Sequence, residues 1–464
     1  MIDFKNIEGI YFVGIGGIGM SALALYFAKA GYTIAGYDRS KSIITDRLTL
    51  SDCKISFEDD PETIPSLFKD VPDKNKVLIV FTPAIPAENQ ILTFFRKNNY
   101  KLYKRSEILG EISSKTDTIA VAGTHGKTTI STMIAHLLKQ SHVDCSAFLG
   151  GISKNYDSNL LTGEGRFTVI EADEYDRSFH RLSPLMAVVT AVDPDHLEIY
   201  GNHKAMIDAY NEFCRKIRSG GTLIYNFSIK DQIRCPDNIK CLTYGNAPDA
   251  DFRYSDIEHK DDYYRFSLKT PNGTMNDLHF PFPGIINIEN LTVSIAIALN
   301  CGVTETEIRK AIILFQGVRR RFDIRVNLPG LTYIDDYAHH PEEIKAFIKS
   351  VREYFGKRKI TGIFQPHLFS RTRDHAIGFA KILDELDEII ILPVYPARED
   401  PIPGVSSEMI YRKIKQKNKK MMRMEDIPDK LEIADLDVLV TIGAGDIDRL
   451  VAPIEEKLKK EIKK

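Results

Sequence analysis

Lys127 and Thr128, directly after Gly126 in the stretch VAGTHGKTTIS (121–131), are side chains that a phosphate-transfer site needs. A loop that holds a triphosphate supplies successive backbone N–H groups, a lysine for the β and γ oxygens, and a hydroxyl for a divalent cation. The usual spacing is G-x-x-x-x-G-K-[ST]. Position 121, where the first glycine of that pattern falls, is Val121, and a glycine stands instead at Gly123. The loop Gly123, Thr124, His125, Gly126, Lys127, Thr128 and Thr129 lies between an apolar run, TIAVA, and an amphipathic one, TTISTMIAHLLKQ. Strand, glycine loop and helix start, in that order, set the phosphates on the positive end of a helix. The expectation is a phosphate loop of variant spacing.

FTVIEADEYDRSF ends another apolar run with four acids, Glu171, Asp173, Glu174 and Asp176. Carboxylates so close behind a buried strand are costly unless a cation or a basic partner offsets them. Beside a phosphate loop, an acid at a strand end holds Mg2+, often through water; a plain acidic loop is the other reading. AVDPDHLEIYG closes the next strand with Asp193, Asp195 and His196, a group for metal binding or catalysis where it is not structural.

Nearer the start, VGIGGIGMSALA (13–24) carries Gly14, Gly16 and Gly19 between a strand-like and a helix-like run, and Asp38 ends the next strand in YDRS. In this G-x-G-x-x-G pattern the glycines let the backbone approach a diphosphate, and the acid can bind a ribose hydroxyl. Any nucleotide diphosphate meets the same physics, NAD among them.

Further polar groups follow downstream. INIENLTVSIAIAL spaces Asn287 and Asn290 at i and i+3 of a helix start, where their amides either read an adenine edge or cap the helix. VRRRFD gathers Arg319, Arg320 and Arg321, whose forks suit phosphate or simply line a surface. IDDYAHHPEEI brings together Asp335, Asp336, Tyr337, His339 and His340 before Pro341, a residue suited to a first helical turn. FQPHLFSRTRD adds His367, Ser370, Arg371 and Arg373, YPAREDPIPG adds Arg398 and Glu399, and GAGD (443–446) adds a small-residue turn. Polar motifs at so many strand ends argue against a last domain that merely caps a core.

The elements that must position these groups are short apolar strands alternating with helices, among them GIYFVGIGG, KVLIVFTPAIP, LMAVVTAVDPDH, ITGIFQPH and DVLVTIGAGD. Such alternation implies βαβ units and parallel sheets, which bind ligands at the carboxyl ends of their strands. Between about 222 and 282 polar and aromatic residues alternate instead, with a P-N-G turn at 271–273, as in an antiparallel hairpin or meander. The 464 residues exceed one ordinary core. The expected fold class is α/β in three domains: Rossmann-like over 1–113, a central P-loop ATPase-type mixed sheet over 114–318, and a second Rossmann-like domain over 319–464.

Composition narrows the function classes. A net charge of −2 gives no pull toward nucleic acid or membrane. The basic stretch YRKIKQKNKKMMRM (411–424) reads as a solvated helix face. No apolar run approaches the ~18 residues of a membrane span, and MIDFKNIEG lacks the apolar stretch of a signal peptide. The cysteines at 53, 145, 214, 235, 241 and 301 form no C-x-x-C pair, so neither a disulfide framework nor a zinc site is expected and a reducing cytoplasm fits. A dehydrogenase has no use for a second phosphate loop. A diphosphate-binding domain joined to an ATP-type domain suggests instead carboxylate activation by phosphoryl transfer.

GIGGIGMSALA, GTHGKTT, EADEYDRSF, DYAHHP, QPHLFSRTRD and YPARE, in that order and spacing, resemble the ATP-dependent Mur ligases of peptidoglycan synthesis over essentially the whole chain. The branch that adds L-alanine is the nearest in detail. These ligases use G-T-x-G-K-[ST], with the first glycine at position 123 here. The resemblance implies that the first domain takes the UDP end of UDP-N-acetylmuramate near Gly14, Gly16, Gly17, Gly19, Met20, Ser21, Asp38, Thr82 and Ala84. It implies ATP on Gly123–Thr129, with Asn290 and Tyr337 near adenine, Arg320 near the phosphates, and Asn287 and Asp336 among the further ATP contacts. Thr128 and Glu171 would hold one Mg2+ and His196 a second. Lys127, His196, His339, His367 and Arg371 would form the catalytic set, the last three facing the amino acid and the sugar carboxylate. ATP would phosphorylate the lactyl carboxylate to an acyl phosphate, which the amine of L-alanine attacks while the C-terminal domain closes over the nucleotide. A cytoplasmic enzyme is implied, without nucleic-acid partner or membrane insertion, as a monomer or weak homodimer.

Three positions depart from the family. Asn211, in AYNEF, stands near where ligases adding later residues carry a carbamylated lysine, a difference that the alanine-adding branch shares. Ile286 replaces the usual histidine before the adenine-site asparagines, and Leu368 stands where many relatives have arginine or another polar residue. Rival readings are a recycling ligase that joins a whole tripeptide to UDP-N-acetylmuramate, a folylpolyglutamate synthase-like enzyme, and a non-catalytic UDP-sugar or ATP sensor. The first-domain glycine pattern argues against the second. Intact Lys127, Thr128, Glu171 and His196 argue against the third.

Overall fold

The computed structural model describes residues 2, 4–195, 197–260, 263–397 and 399–461. They gather into two compact units, Met1–Phe280 with Glu289–Gln316, and Pro281–Ile288 with Gly317–Lys464.

The first unit contains two sheets. One has five parallel strands in the order Lys54–Ser56, Thr33–Tyr37, Gly9–Val13, Val77–Phe81 and Leu102–Lys104. The chain enters at the middle strand and winds to one edge before the other. Gly9–Val13 therefore ends at the switch point where the order reverses, and the glycine-rich turn follows it directly. Ile10, Phe12, Ile79 and Val80 are fully buried, as strands covered on both faces require.

The second sheet has ten strands in the order Gly273–Phe280, Tyr264–Thr270, Phe252–His259, Lys240–Gly245, Thr222–Asn226, Met186–Val189, Asp117–Ala122, Phe167–Glu171, Cys145–Ser153 and Ser158–Leu161. Asp117–Ala122, which leads into the phosphate loop, runs parallel between Phe167–Glu171 and Met186–Val189. The loop, the acidic cluster and the DPDH stretch thus leave three adjacent strands on one edge. The polar-aromatic stretch forms an antiparallel meander at the far end, with Pro271–Asn272 as its turn. Behind the phosphate loop the helix Lys127–Lys139 is buried from Thr128 to Leu138, and its His136 is fixed between Ala311 O (2.9 Å) and the Tyr156 hydroxyl (3.2 Å). The two sheets are joined by Asn159, whose amide donates to Ile18 O (2.6 Å) and to Ser21 Oγ (3.0 Å).

The second unit has six strands in the order Asp323–Leu328, Leu331–Asp336, Val438–Ile442, Ile360–Phe364, Glu388–Ile391 and Lys419–Met421, parallel except for the first. Two expectations are corrected. The basic stretch 411–424 is no helix face: it leaves the short helix Glu408–Tyr411 and becomes the edge strand Lys419–Met421, where lysines discourage further strand pairing. Cys235 and Cys241 form a disulfide; their separation of six residues is outside the C-x-x-C spacing used to search for one. Among the described residues no helix is long and apolar enough to cross a membrane.

Candidate active site

The glycine-rich turn is built around close approaches. Gly14 has φ +89°, and a Cβ there would lie 2.9 Å from Thr82 Cγ2. The Gly16 N–H donates to Asp38 Oδ2 at 2.7 Å, so the acid at the next strand end ties down the turn. Gly17 caps the helix Ile18–Lys29, and Ala84 is exposed on the loop beyond Thr82. Met20 and Ser21 are buried, and the Ser21 hydroxyl is engaged by Ile18 O and by Asn159. The structure thus brings Gly14, Gly16, Asp38 and Thr82 together and turns Ser21 into the fold.

The phosphate loop is laced to the end of strand Met186–Val189. Thr124 N–H donates to Ala191 O (3.0 Å), the Thr190 hydroxyl to His125 O (2.5 Å), and Asp193 N–H to Thr124 Oγ1 (3.3 Å), while His125 Nε2 lies 3.3 Å from Asp193 Oδ2. Gly126 is left-handed (φ +80°) where the helix Lys127–Lys139 begins, with Asn290 Oδ1 close by it and Thr129 buried one turn on. Lys127 Nζ donates to Gly123 O (2.6 Å) and to Glu174 Oε1 (2.7 Å). Burial acts against the ammonium charge, but Glu174, Glu171 and Asp173 outweigh it and hold the Lys127 pKa above its ordinary value. Glu174 is itself held by the Tyr200 hydroxyl, which donates to its backbone carbonyl at 2.5 Å.

The residues present fit a magnesium ion. The Thr128 hydroxyl donates to Glu171 Oε1 (3.1 Å), and Gly150 N–H donates to Oε2 of the same carboxylate (3.1 Å). A Cβ on Gly150 would come within 2.2 Å of that carboxylate, so the glycine leaves the space beside it open. A hydroxyl and a carboxylate on hard oxygens are the donors that this ion takes. His196 lies outside the described residues. Asn211, buried, bonds Ile207 O, Gln232 O and the Arg234 N–H, a purely structural set.

In the second unit, strand Leu331–Asp336 delivers the DYAHHP motif. Two guanidiniums lie over the Tyr337 ring, Arg320 at 5.1 Å and Arg321 at 4.9 Å. Arg320 also pairs with the buried Asp335 (3.3 Å) and donates to Gly443 O, so the GAGD turn supports it. Asp336 accepts from the Phe322 and Ala338 N–H groups. Asn287 donates to Pro283 O at its helix start (2.5 Å). His339, His367 and Arg371 do converge: the imidazoles are 5.8 Å apart, and Arg371 Nη1 is 3.4 Å from His367 Nδ1. Burial, together with Arg371 and Arg321 and against the pull of Glu343, keeps His339 below the ordinary imidazole value. Its Nδ1 lies 3.1 Å from Tyr337 O and 3.2 Å from Glu343 Oε2, two acceptors that fix the proton there and leave Nε2 as an acceptor. Leu368, beside His367, has φ +70°, a strained backbone for a branched residue. Ser370 is bound by Glu399, and Arg373 turns outward to Asp374. Arg398 lies outside the described residues. Sequence reasoning missed Gly150 and Thr190, whose partners Glu171 and His125 are distant along the chain, and also Glu343, although its capping-box place four residues after His339 is a local signal.

Burial pushes Asp335 and Asp336 up to about 6, against Arg320 and Arg321 respectively. A carboxyl whose folded pKa exceeds its unfolded value adds stability that is full below about pH 4 and is lost as pH rises through about 6. The stability of Asp335→Asn relative to wild type should therefore rise by on the order of 2 kcal/mol between pH 4 and 7. Urea titrations at several pH values check this; a flat difference would refute it.

The chain's similarities to known proteins can be set beside this geometry. Residues 9–116 match the Mur ligase family catalytic domain, 121–298 the Mur ligase middle domain, and 320–448 the Mur ligase glutamate ligase domain. A UDP-N-acetylmuramate–L-alanine ligase of Porphyromonas gingivalis is 47% identical, covering 97% of this chain and 98% of that protein. One from Parabacteroides distasonis is 45% identical over the full length of both. Among solved structures, the UDP-N-acetylmuramate-alanine ligase of Thermotoga maritima superposes with a TM-score of 0.83 at 26% identity, covering 98% of this chain and 99% of its own.

Proposed function

The chain belongs to the Mur ligase family, and we propose that it ligates L-alanine to the lactyl carboxylate of UDP-N-acetylmuramate, driven by ATP, in peptidoglycan precursor synthesis. The observation that carries this reading is Lys127 on Glu174 and Thr128 on Glu171, in a chain alike over its whole length to alanine-adding ligases. Residues 1–113 take the UDP end, 114–318 the ATP, and 319–464 the amino acid. The glycine turn with Asp38 and Thr82 receives the nucleotide sugar, and Gly123–Thr129 with Asn290 receives ATP. Asn290 and Tyr337 are assigned to adenine, Arg320 to phosphate, and Asn287 and Asp336 to ATP without a named group.

The lactyl carboxylate attacks the γ-phosphorus, giving ADP and an acyl phosphate; the amine then attacks the acyl carbon, and phosphate leaves. Lys127 leaves Glu174 to meet the charge on the transferring group. Thr128 and Glu171, with His196 for a second ion, would hold Mg2+, which neutralises phosphate charge when bound. His339 Nε2 accepts the proton that the amine must lose before it can attack, while His367 and Arg371 orient the amino acid and the sugar carboxylate. We place the enzyme in the cytoplasm, as a monomer or weak homodimer.

Phosphate release from ATP and Mg2+ with UDP-N-acetylmuramate, with the amine varied, tests the reading. Release that needs both substrates and is fastest with L-alanine is expected. Turnover only with a tripeptide would move the chain to a recycling activity, and none with any amine, despite sugar binding, would favour a sensor.

A further inference from the structure

Arg105 opens the helix Arg105–Lys115, immediately after the last strand of the first sheet. A cation in the first turn opposes the helix dipole, so local stability gives no reason for it. Its reach is long. Nη2 pairs with Asp173 of the acidic loop at 3.2 Å, and neighbouring Lys104 pairs with Asp176 at 2.8 Å. On its other side the fork lies over the glycine-rich turn, where a Cβ on Gly19 would be 2.5 Å from Nη1. Gly19 therefore has a reason beyond helix packing: it makes room for this guanidinium. Among the described residues Asp173 is the one polar partner of Arg105, held by a single contact, and the fork has four further N–H donors. Arg105 and Glu171, the carboxylate assigned to the metal, share the lining of one small crevice with Ser106, Leu109, Asp173 and Ser178.

We propose that Arg105 is a substrate-binding residue whose guanidinium leaves Asp173 to pair bidentately with the diphosphate of the nucleotide sugar. The position over Gly19 favours the diphosphate over the lactyl carboxylate, because the diphosphate is the group that the glycine turn admits. A planar fork matches two phosphate oxygens, which a lysine cannot do. The pairing with Asp173 parks the fork in the direction of the catalytic acids until substrate arrives. This assignment rests on the function proposed above.

Calorimetric titration of the full chain, without ATP, with UDP-N-acetylmuramate and with UDP-N-acetylglucosamine, which lacks the lactyl group, tests it. Arg105→Ala is expected to weaken both ligands by at least about tenfold, and Arg105→Lys, which keeps the charge and the fold, by about threefold. Asp173→Asn frees the fork and is expected to tighten both by about twofold; a merely structural ion pair predicts that it weakens them as Arg105→Ala does. Loss confined to UDP-N-acetylmuramate overturns the diphosphate assignment in favour of the carboxylate, and no loss in Arg105→Lys or Arg105→Ala overturns the proposal. A wild-type chain that binds neither sugar overturns the function reading itself, before any variant is compared.

Discussion

Lys127→Ala is expected to lower phosphate release by about 10³-fold or more and to destabilise the protein as well. The first effect follows from the role proposed for Lys127, whose charge would meet the transferring phosphoryl group. The second follows from Glu174, whose side chain is 3% exposed and whose partner, the Lys127 side chain, is 16% exposed. Removing one member of a buried pair leaves the other uncompensated, at about 3 kcal/mol. Lys127→Ala with Glu174→Gln should recover most of that stability, since a neutral amide needs no cation, yet remain inactive. Thermal melts and a phosphate-release assay on both variants separate the two effects. A single variant as stable as wild type would mean that the pair contributes nothing, and a double variant that regains turnover would remove Lys127 from the mechanism.

Gly123→Ala should be nearly as severe, by a different route. Gly123 has φ +130°, a region that L-residues rarely adopt, and its added Cβ would sit 2.0 Å from Thr190 Oγ1 and 2.8 Å from Thr190 N. Neither neighbour can yield cheaply, because Thr190 is hydrogen-bonded through its N–H to Ala122 O and through its hydroxyl to His125 O. The loop must shift, with an expected loss of about 3 kcal/mol in stability and about 10²-fold in turnover. Gly126→Ala provides the scale: φ is +80° and the nearest atom, Asn290 Oδ1, is 3.0 Å away, so about 1–2 kcal/mol is expected. Equal effects at the two glycines would show that the Thr190 contact does not constrain the loop.

The same contact explains how much of the site could be read from the sequence. The strand Asp117–Ala122 still pairs at position 121, where Val121 faces Glu171 and Val188 on its two sides. A glycine there would interrupt a buried strand, so the turn starts later and the glycine moves to 123. Strand ends and the turns behind them are local properties, and for that reason the positions in the fold of the GTHGKT loop, the acidic cluster and the DYAHHP group were legible. What was not legible is what distant segments contribute. Nothing in RSEILG announces that Arg105 lies over Gly19, and nothing in AFLGG announces that Gly150 clears space beside Glu171. The strand Asp323–Leu328 escaped for another reason: it pairs antiparallel in a sheet otherwise parallel, and its register shifts between Ile324 and Val326, which blurs the alternation that marks a strand.

The ten-strand sheet also sets where the protein can be handled. Four strands separate the meander Tyr264–Thr270 and Gly273–Phe280 from Asp117–Ala122, and the turn between them, Pro271–Asn272, is exposed. A fluorophore or a short affinity peptide spliced into that turn meets solvent, at the opposite end of the sheet from the strands that carry the loop and its acids. It is the natural attachment point for immobilising the molecule while its chemistry is followed.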